Sequence, residues 1–242
     1  YRRVKRIVVP SQGLARELIA EYPYTRDKIR IIPNCVELER MRMPRDFDRE
    51  RFRKDLGVDP GDLALVFVAL GHFERKGLPL LLEGLRRLGD PRLKLLVVGG
   101  QPDLLAAYRS RVEQLDLLKR VMFVGMQRDV RPYLWAADAF AFPSFYETFS
   151  LVSFEAAAAR LPLIVAPLYG VEEFLRDGEN GILVERTSEG VAEGIARFLT
   201  LSPEARRSMG EKARRDVKEY GPESFVAAWR NLYEVEHAEP MA

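Results

Sequence analysis

Pro143-Ser144-Phe145-Tyr146-Glu147-Thr148-Phe149-Ser150-Leu151-Val152-Ser153-Phe154-Glu155-Ala156-Ala157-Ala158-Ala159 decides how this chain folds. It follows the short apolar run 139–142, turns at Pro143 and Ser144, and enters a helix of small and apolar residues. A buried strand hands over to a helix here, and the same handover recurs along the chain. Strand patterns at 63–70, 92–98, 121–124, 139–142, 163–166 and 182–184 alternate with helical patterns at 76–88, 102–116, 130–136, 149–160 and 171–175.

Strands that are apolar on both faces and separated by helices belong to a parallel sheet covered on both sides. Right-handed crossovers then give an α/β fold with a doubly wound, parallel, Rossmann-like sheet, expected over residues 45–221. The ends fit this domain less neatly. A strand at 6–10, a helix at 12–22 and a strand at 28–32 precede a charged stretch, 37–53, rich in Arg, Met and Pro. Residues 1–44 therefore read as the tail of a preceding domain and a linker, with a first strand that has no upstream sheet to join. After a helix at 202–220, a final amphipathic helix at 223–237 carries Phe225, Trp229 and Tyr233 on one face at a spacing of four.

Composition narrows the function classes. With 47% hydrophobic and 31% charged residues and a net charge of +2, the chain is an ordinary globular protein, and its balanced charge makes no case for a nucleic-acid partner. Cys35 is the only cysteine, so no intrachain disulfide forms and no cysteine cluster holds a metal. That usage suits a reducing compartment, and a cytoplasmic location is expected. No apolar run approaches the roughly 20 residues that span a bilayer, which leaves peripheral association with a membrane open.

Glu147 and Glu155 stand out within the opening segment. A carboxylate taken out of water costs several kcal/mol, roughly, unless it gains a partner or a polar ligand. In a parallel sheet, ligands bind beyond the carboxyl ends of the strands, where both the Glu147 loop and the loop Gly71-His72-Phe73-Glu74-Arg75-Lys76-Gly77 lie. The latter has neither dinucleotide-binding nor P-loop glycine spacing. It sets Arg75 and Lys76 at a helix start, where the macrodipole disfavours cations unless an anion is shared. A helix starting near Phe149 would leave the N–H groups of Ser150, Leu151 and Val152 free to hold a phosphate, with Glu147 and Glu155 accepting from hydroxyls on either side. That describes a nucleotide sugar. Taken alone, the same residues also fit solvated cations and capping or ion-paired carboxylates.

The surrounding motifs resemble the retaining glycosyltransferases of the GT-B fold, family 4 (glycosyl transferases group 1). They are Pro143-Ser144, Glu147-Thr148-Phe149-Ser150-Leu151, Glu155, Pro162-Leu163-Ile164-Val165-Ala166, Gly170-Val171-Glu172-Glu173 and Asn180-Gly181-Ile182-Leu183-Val184. Upstream, Val8-Val9-Pro10-Ser11, Ile31-Ile32-Pro33-Asn34 and Arg75-Lys76-Gly77 match in the same order. The resemblance implies that residues 45–221 form the carboxyl-terminal, donor-binding domain, one half of a GT-B fold. Residues 1–44 would then be a remnant of the amino-terminal acceptor domain, most of which is absent, and 222–242 a helix that crosses back onto it. It further implies that Lys76 contacts donor phosphates with Gly71 and Arg75 nearby. Glu147 lies by the donor sugar, backbone donors at Phe149, Ser150, Leu151 and Val152 hold the diphosphate, Glu155 binds ribose, and Gly125 and Met126 touch the base.

On this reading Glu147 and Lys76 are the catalytic candidates of a hexosyltransferase that moves sugar from a nucleoside-diphosphate sugar to a hydroxyl with retention, the donor half alone being weakly active at best. Positive side chains and peptide N–H groups take the place of a metal ion. Asp46-Phe47-Asp48 falls in the charged linker and reads as solvated, so neither metal nor other cofactor is expected. A phosphorylase of the same fold would need a pyridoxal phosphate lysine, and none is evident close to the Glu147 loop. Departures from the family pattern are His72 for an arginine, Thr148 and Ser150 for glycines, Cys35 for a glycine, and Tyr169, which would crowd the sugar pocket. They keep a second expectation in view, a noncatalytic nucleotide-sugar-binding or interaction module on the same fold.

Overall fold

Strand β1 (Ile7–Val9) runs parallel to β2 (Ile29–Ile31), with helix α1 (Gln12–Glu21) between them, in the computed structural model, which describes residues 1–238. The first strand, which has no upstream sheet to join, thus finds its partner downstream. Ser11 caps α1 by accepting from the N–H of Leu14, which is why the helix starts where the strand motif ends.

The charged stretch expected to be a linker contains a structured helix, α2 (Arg49–Asp55), capped by Asp48, whose side chain accepts from Arg51 N–H. Asp48 is therefore a cap, and α2 is anchored to the main domain through Arg49 and Arg53. The main domain continues with β3 (Leu63–Val68), α3 (Leu78–Leu88), β4 (Leu93–Val98), α4 (Pro102–Gln114), β5 (Val121–Gly125), α5 (Arg131–Ala136), β6 (Ala139–Phe142), α6 (Leu151–Ala158), β7 (Leu163–Val165), α7 (Val171–Phe174) and β8 (Gly181–Leu183). Helices α8 (Ser188–Thr200), α9 (Pro203–Asp216) and α10 (Pro222–Ala238) follow.

The six strands are parallel in the order β5-β4-β3-β6-β7-β8. Counted from β3, that is the Rossmann order, with the topological switch point between β3 and β6. The central strands are closed in by helices, so Phe67, Phe140 and Phe142 are fully buried on the sheet and Phe154 and Phe198 beneath the helices. Each such ring contributes about 1.5–3 kcal/mol of burial relative to exposure.

Helix α8 was not among the helical patterns read from the sequence. Gly190 and Gly194 interrupt its periodicity, and both serve close packing. A Cβ on Gly194 would lie 2.2 Å from Cγ1 of Val184, and one on Gly84 of α3 would lie 3.1 Å from Cγ1 of Val191 of α8. Glycine here lets the two helices and β8 approach, at the cost of a weaker helical signature. Among the described residues, no helix is long and apolar enough to cross a membrane. The last four residues of the expected 222–242 segment lie outside the described residues.

Candidate functional site

The loops after β3 and β6 diverge at the switch point, and they carry the two residues singled out from the sequence, Lys76 and Glu147. Gly77 makes their meeting possible. It takes the left-handed conformation (φ +81°) and caps α3, and a Cβ there would sit 2.2 Å from the carbonyl oxygen of Pro143. With the loops this close, Lys76 Nζ donates to Glu147 Oε1 at 2.5 Å, and Ser144 Oγ donates to the same oxygen at 2.9 Å. The carbonyl of Arg75 accepts from the N–H of Phe145 at 2.9 Å, closing the junction from the backbone. The Lys76 and Glu147 side chains are 18% and 14% exposed, so this is a largely buried ion pair at the switch point. It also corrects one expectation: a lysine does stand beside the Glu147 loop, brought there by the fold and not by sequence proximity.

Helix α6 starts at Leu151. Phe149, expected to open it, is instead buried, its ring stacked on Phe154 with centroids 4.3 Å apart. Ser150 precedes the helix in the left-handed conformation (φ +37°, ψ +57°). That costs an L-residue about 1–2 kcal/mol and is free for glycine. The backbone therefore makes the turn that the expected glycine would make, and the serine is held in it by a 2.7 Å contact between its hydroxyl and that of Ser153. The N–H groups of Phe149, Ser150, Leu151 and Val152 have no acceptor among the described residues. They form a run of free donors at a helix start beside the Lys76–Glu147 pair, the physical make-up of an anion site.

Glu155 lies further along α6, half-buried, and its carboxylate accepts no hydrogen bond among the described residues. Burial pushes its carboxyl above the ordinary glutamate value, and the positive charge of Arg40 opposes the shift without cancelling it. A raised carboxyl favours folding while protonated and loses that contribution as pH rises through its folded pKa. Glu155→Gln is therefore expected to raise the melting temperature at pH 7 and to leave it unchanged near pH 4. A thermal melt of both proteins at the two pH values checks this, and equal melting at pH 7 contradicts it.

The remaining predicted residues occupy the rim. The guanidinium of Arg75 is exposed and has no partner among the described residues. Gly71 is half-exposed at the exit of β3. Gly125 closes β5 with φ +77°, its carbonyl accepting from Gly99 N–H at 2.7 Å, and Met126 beside it is exposed. Gly99 and Gly100 were not picked out from the sequence, although a Gly-Gly pair directly after a strand is a signal. A Cβ on Gly99 would lie 2.0 Å from the carbonyl oxygen of Ala69, so this glycine allows β4 to leave the sheet against the β3 exit.

Three departures also resolve. His72 is an exposed turn residue (φ +54°) whose carbonyl accepts from Lys76 N–H at 2.9 Å. Tyr169 turns toward α1, its ring over Gly13 and edge-on to Tyr146 at 5.9 Å. Cys35 is half-buried, and burial, then the charge of Glu37, pushes its thiol up, away from reactivity.

A large concavity, about 1680 Å³, lies at the opposite, amino end of the strands and is rich in arginine. Helix carboxyl ends converge there, and the arginines are engaged with them. Arg49 donates to the carbonyls of Trp135, Ala136 and Ala137, Arg206 to those of Phe198 and Leu199, and Arg214 to that of Ala158. These are the last turns of α5, α8 and α6, so the positive charge is answered by free carbonyls and helix dipoles.

The model of glycosyl transferases group 1 matches residues 48–216, and that of Glycosyltransferase Family 4 matches residues 1–40. D-inositol 3-phosphate glycosyltransferase of Nocardia farcinica is 34% identical over 194 residues, covering 74% of this chain and 41% of its own. The lipopolysaccharide core biosynthesis glycosyltransferase LpsE of Rhizobium meliloti is 34% identical over 200 residues, covering 82% of this chain and 54% of its own. Among solved structures, Anabaena Alr3699/HepE in complex with UDP and glucose has the same fold, with a TM-score of 0.84 at 21% identity over 98% of this chain and 64% of that one. The chain spans 41% to 60% of the length of such curated relatives. The group 1 model matches well over half of the length, residues 48–216, and relatives 34% identical cover 74% and 82% of the chain: the chain belongs to the glycosyl transferases group 1 family.

Proposed function

We propose that this chain is the donor-binding part of a longer, two-domain retaining hexosyltransferase that moves a sugar from a nucleoside-diphosphate sugar to an acceptor hydroxyl without needing a metal ion. The observation that carries the reading is the meeting of Lys76 and Glu147 at the switch point, beside the free N–H groups of Phe149 to Val152. When the bond from the anomeric carbon to the diphosphate breaks, negative charge grows on the leaving group and positive charge on the sugar ring. Lys76 and the N–H groups face the first, already oriented and partly desolvated, so they need little reorganisation as the charge develops, and the exposed Arg75 on the rim adds positive charge. Glu147 lies where the sugar sits, and Glu155, lacking any donor, accepts from ribose hydroxyls. Met126 and Gly125 flank the base.

The domain reading has support of its own. Residues 1–40 and 48–216 match different family models. Helix α10 leaves Tyr233 58% exposed, as expected of a face that continues onto protein beyond these residues. UDP is the first ligand to try, because HepE, which shares the fold, has been crystallised with UDP and with UDP-glucose. Calorimetry of this chain against UDP, GDP and ADP is expected to show binding to at least one, and an absence of heat with all three overturns the proposal. A donor turned over by the longer protein, and not turned over by its Glu147→Ala variant, separates catalysis from a binding module on the same fold.

A further inference from the structure

The first turn of α1 lies in the segment matched by the Glycosyltransferase Family 4 model, yet it is bonded to the loops of the candidate site. Ser11 is fully buried and its hydroxyl is used twice, accepting from Leu14 N–H at 3.2 Å and donating to the carbonyl of Thr148 at 2.7 Å. Gln12 N–H donates to Oε1 of Glu173 at 2.8 Å. Gly13 has no room for a side chain, since a Cβ would lie 2.2 Å from Cδ1 of Tyr169. Three successive residues of one helical turn thus meet three separate points of the main domain, Thr148, Glu173 and Tyr169.

Thr148 is the point that bears on chemistry. In a trans peptide the carbonyl and the following N–H point in opposite directions. With its carbonyl drawn to Ser11, the Thr148–Phe149 peptide must aim the Phe149 N–H away from α1. That N–H is the first of the four free donors. Two residues on, Ser150 sits in a conformation that serine does not favour by itself and has the Ser153 hydroxyl as its local anchor, to which the Ser11 bond at Thr148 adds a second. We propose that Ser11 is a positioning residue: through Thr148 it sets the direction of the N–H groups of Phe149 to Val152 that receive the donor diphosphate. The inference rests on the reading above that these groups bind a diphosphate, and it adds that their aim is fixed from the amino-terminal segment.

Three substitutions in this chain separate positioning from docking. Ser11→Gly deletes the hydroxyl and costs the helix cap little. Ser11→Thr keeps it. Gln12→Pro removes only the contact to Glu173: proline is favoured at the first helical position, and Ser11 already has the extended backbone (φ −151°, ψ 156°) that a following proline requires. Each is titrated by calorimetry with whichever of UDP, GDP and ADP binds the unsubstituted chain, and amide exchange is followed at residues 149–152. Ser11→Gly is expected to weaken binding about fivefold to tenfold and to speed exchange there, while Ser11→Thr and Gln12→Pro stay within about twofold. Equal weakening by Ser11→Gly and Gln12→Pro, or unchanged affinity and exchange in Ser11→Gly, overturns the inference while leaving the donor-site reading intact. No binding by the unsubstituted chain overturns that reading itself, and the inference with it.

Discussion

Asp138→Ala is expected to destabilise the fold by about 3–5 kcal/mol, the cost of stripping a buried charge of its partner. Asp138 stands just ahead of β6 and makes four hydrogen bonds to three residues. One carboxylate oxygen accepts from Arg49 at 2.8 Å, and the other accepts from Arg53 at 3.0 Å and from the N–H of Ala64 at 2.8 Å. Its own N–H donates to the carbonyl of Ala64 at 2.7 Å, so the start of β6 is locked to the start of β3 from both directions. Arg53, only 7% exposed, would be left with the carbonyls of Ala136 and Asp62 and no counter-charge. A domain of this kind is stable by about 5–15 kcal/mol in total, so the loss is a large share. Urea denaturation should show it as a lower midpoint at an unchanged slope. Asp138→Ala and Arg53→Ala should together cost clearly less than the sum of the two, because both break the same network. Full additivity, or a loss under about 1 kcal/mol for Asp138→Ala, would show the pair to be no more than a solvated contact.

The same network explains what the sequence does and does not reveal. Each strand of the main sheet is an apolar run bounded by turn residues, so its position is legible, and the alternation with helices is enough for the doubly wound class. Helix α2 is not legible, because Arg-Glu-Arg-Phe-Arg-Lys-Asp looks solvated until Asp138, 85 residues from Arg53, supplies a partner. Helix α8 hides behind glycines whose purpose is tertiary packing. In the candidate site, Glu147, Lys76 and the turn at Phe149 to Val152 stand out because carboxylates, cations and a helix start meet at strand ends, where a parallel sheet binds ligands. That Lys76 and Glu147 form one pair could not be read, since 71 residues separate them and the strand order that joins their loops is a property of the whole sheet. Ser11 is less visible still. Its capping role is local, but its bond to Thr148 spans 137 residues.

Lys76→Ala should have two effects that can be measured apart. The first is on stability. Glu147 would keep only the hydroxyl of Ser144 as a donor, and an unpaired, largely buried carboxylate costs about 2–4 kcal/mol, somewhat below the fully buried case because water still reaches the pair. Removing Glu147 as well takes away the stranded charge, so Lys76→Ala/Glu147→Ala should melt above Lys76→Ala alone. The second effect is on the donor. An ammonium on a diphosphate contributes about 1.5–3 kcal/mol as a charge-assisted hydrogen bond, or about ten- to a hundredfold in affinity, and no other residue of the double variant replaces it. Stability and binding should therefore part company: the double variant regains the first and not the second. The ammonium that Glu147 holds lies over the Phe142 ring, 5.7 Å from its centroid. If the double variant binds nucleoside diphosphate as well as the unsubstituted chain, Lys76 serves only to neutralise Glu147, and the charge that stabilises the leaving diphosphate must come from Arg75 and the peptide N–H groups alone.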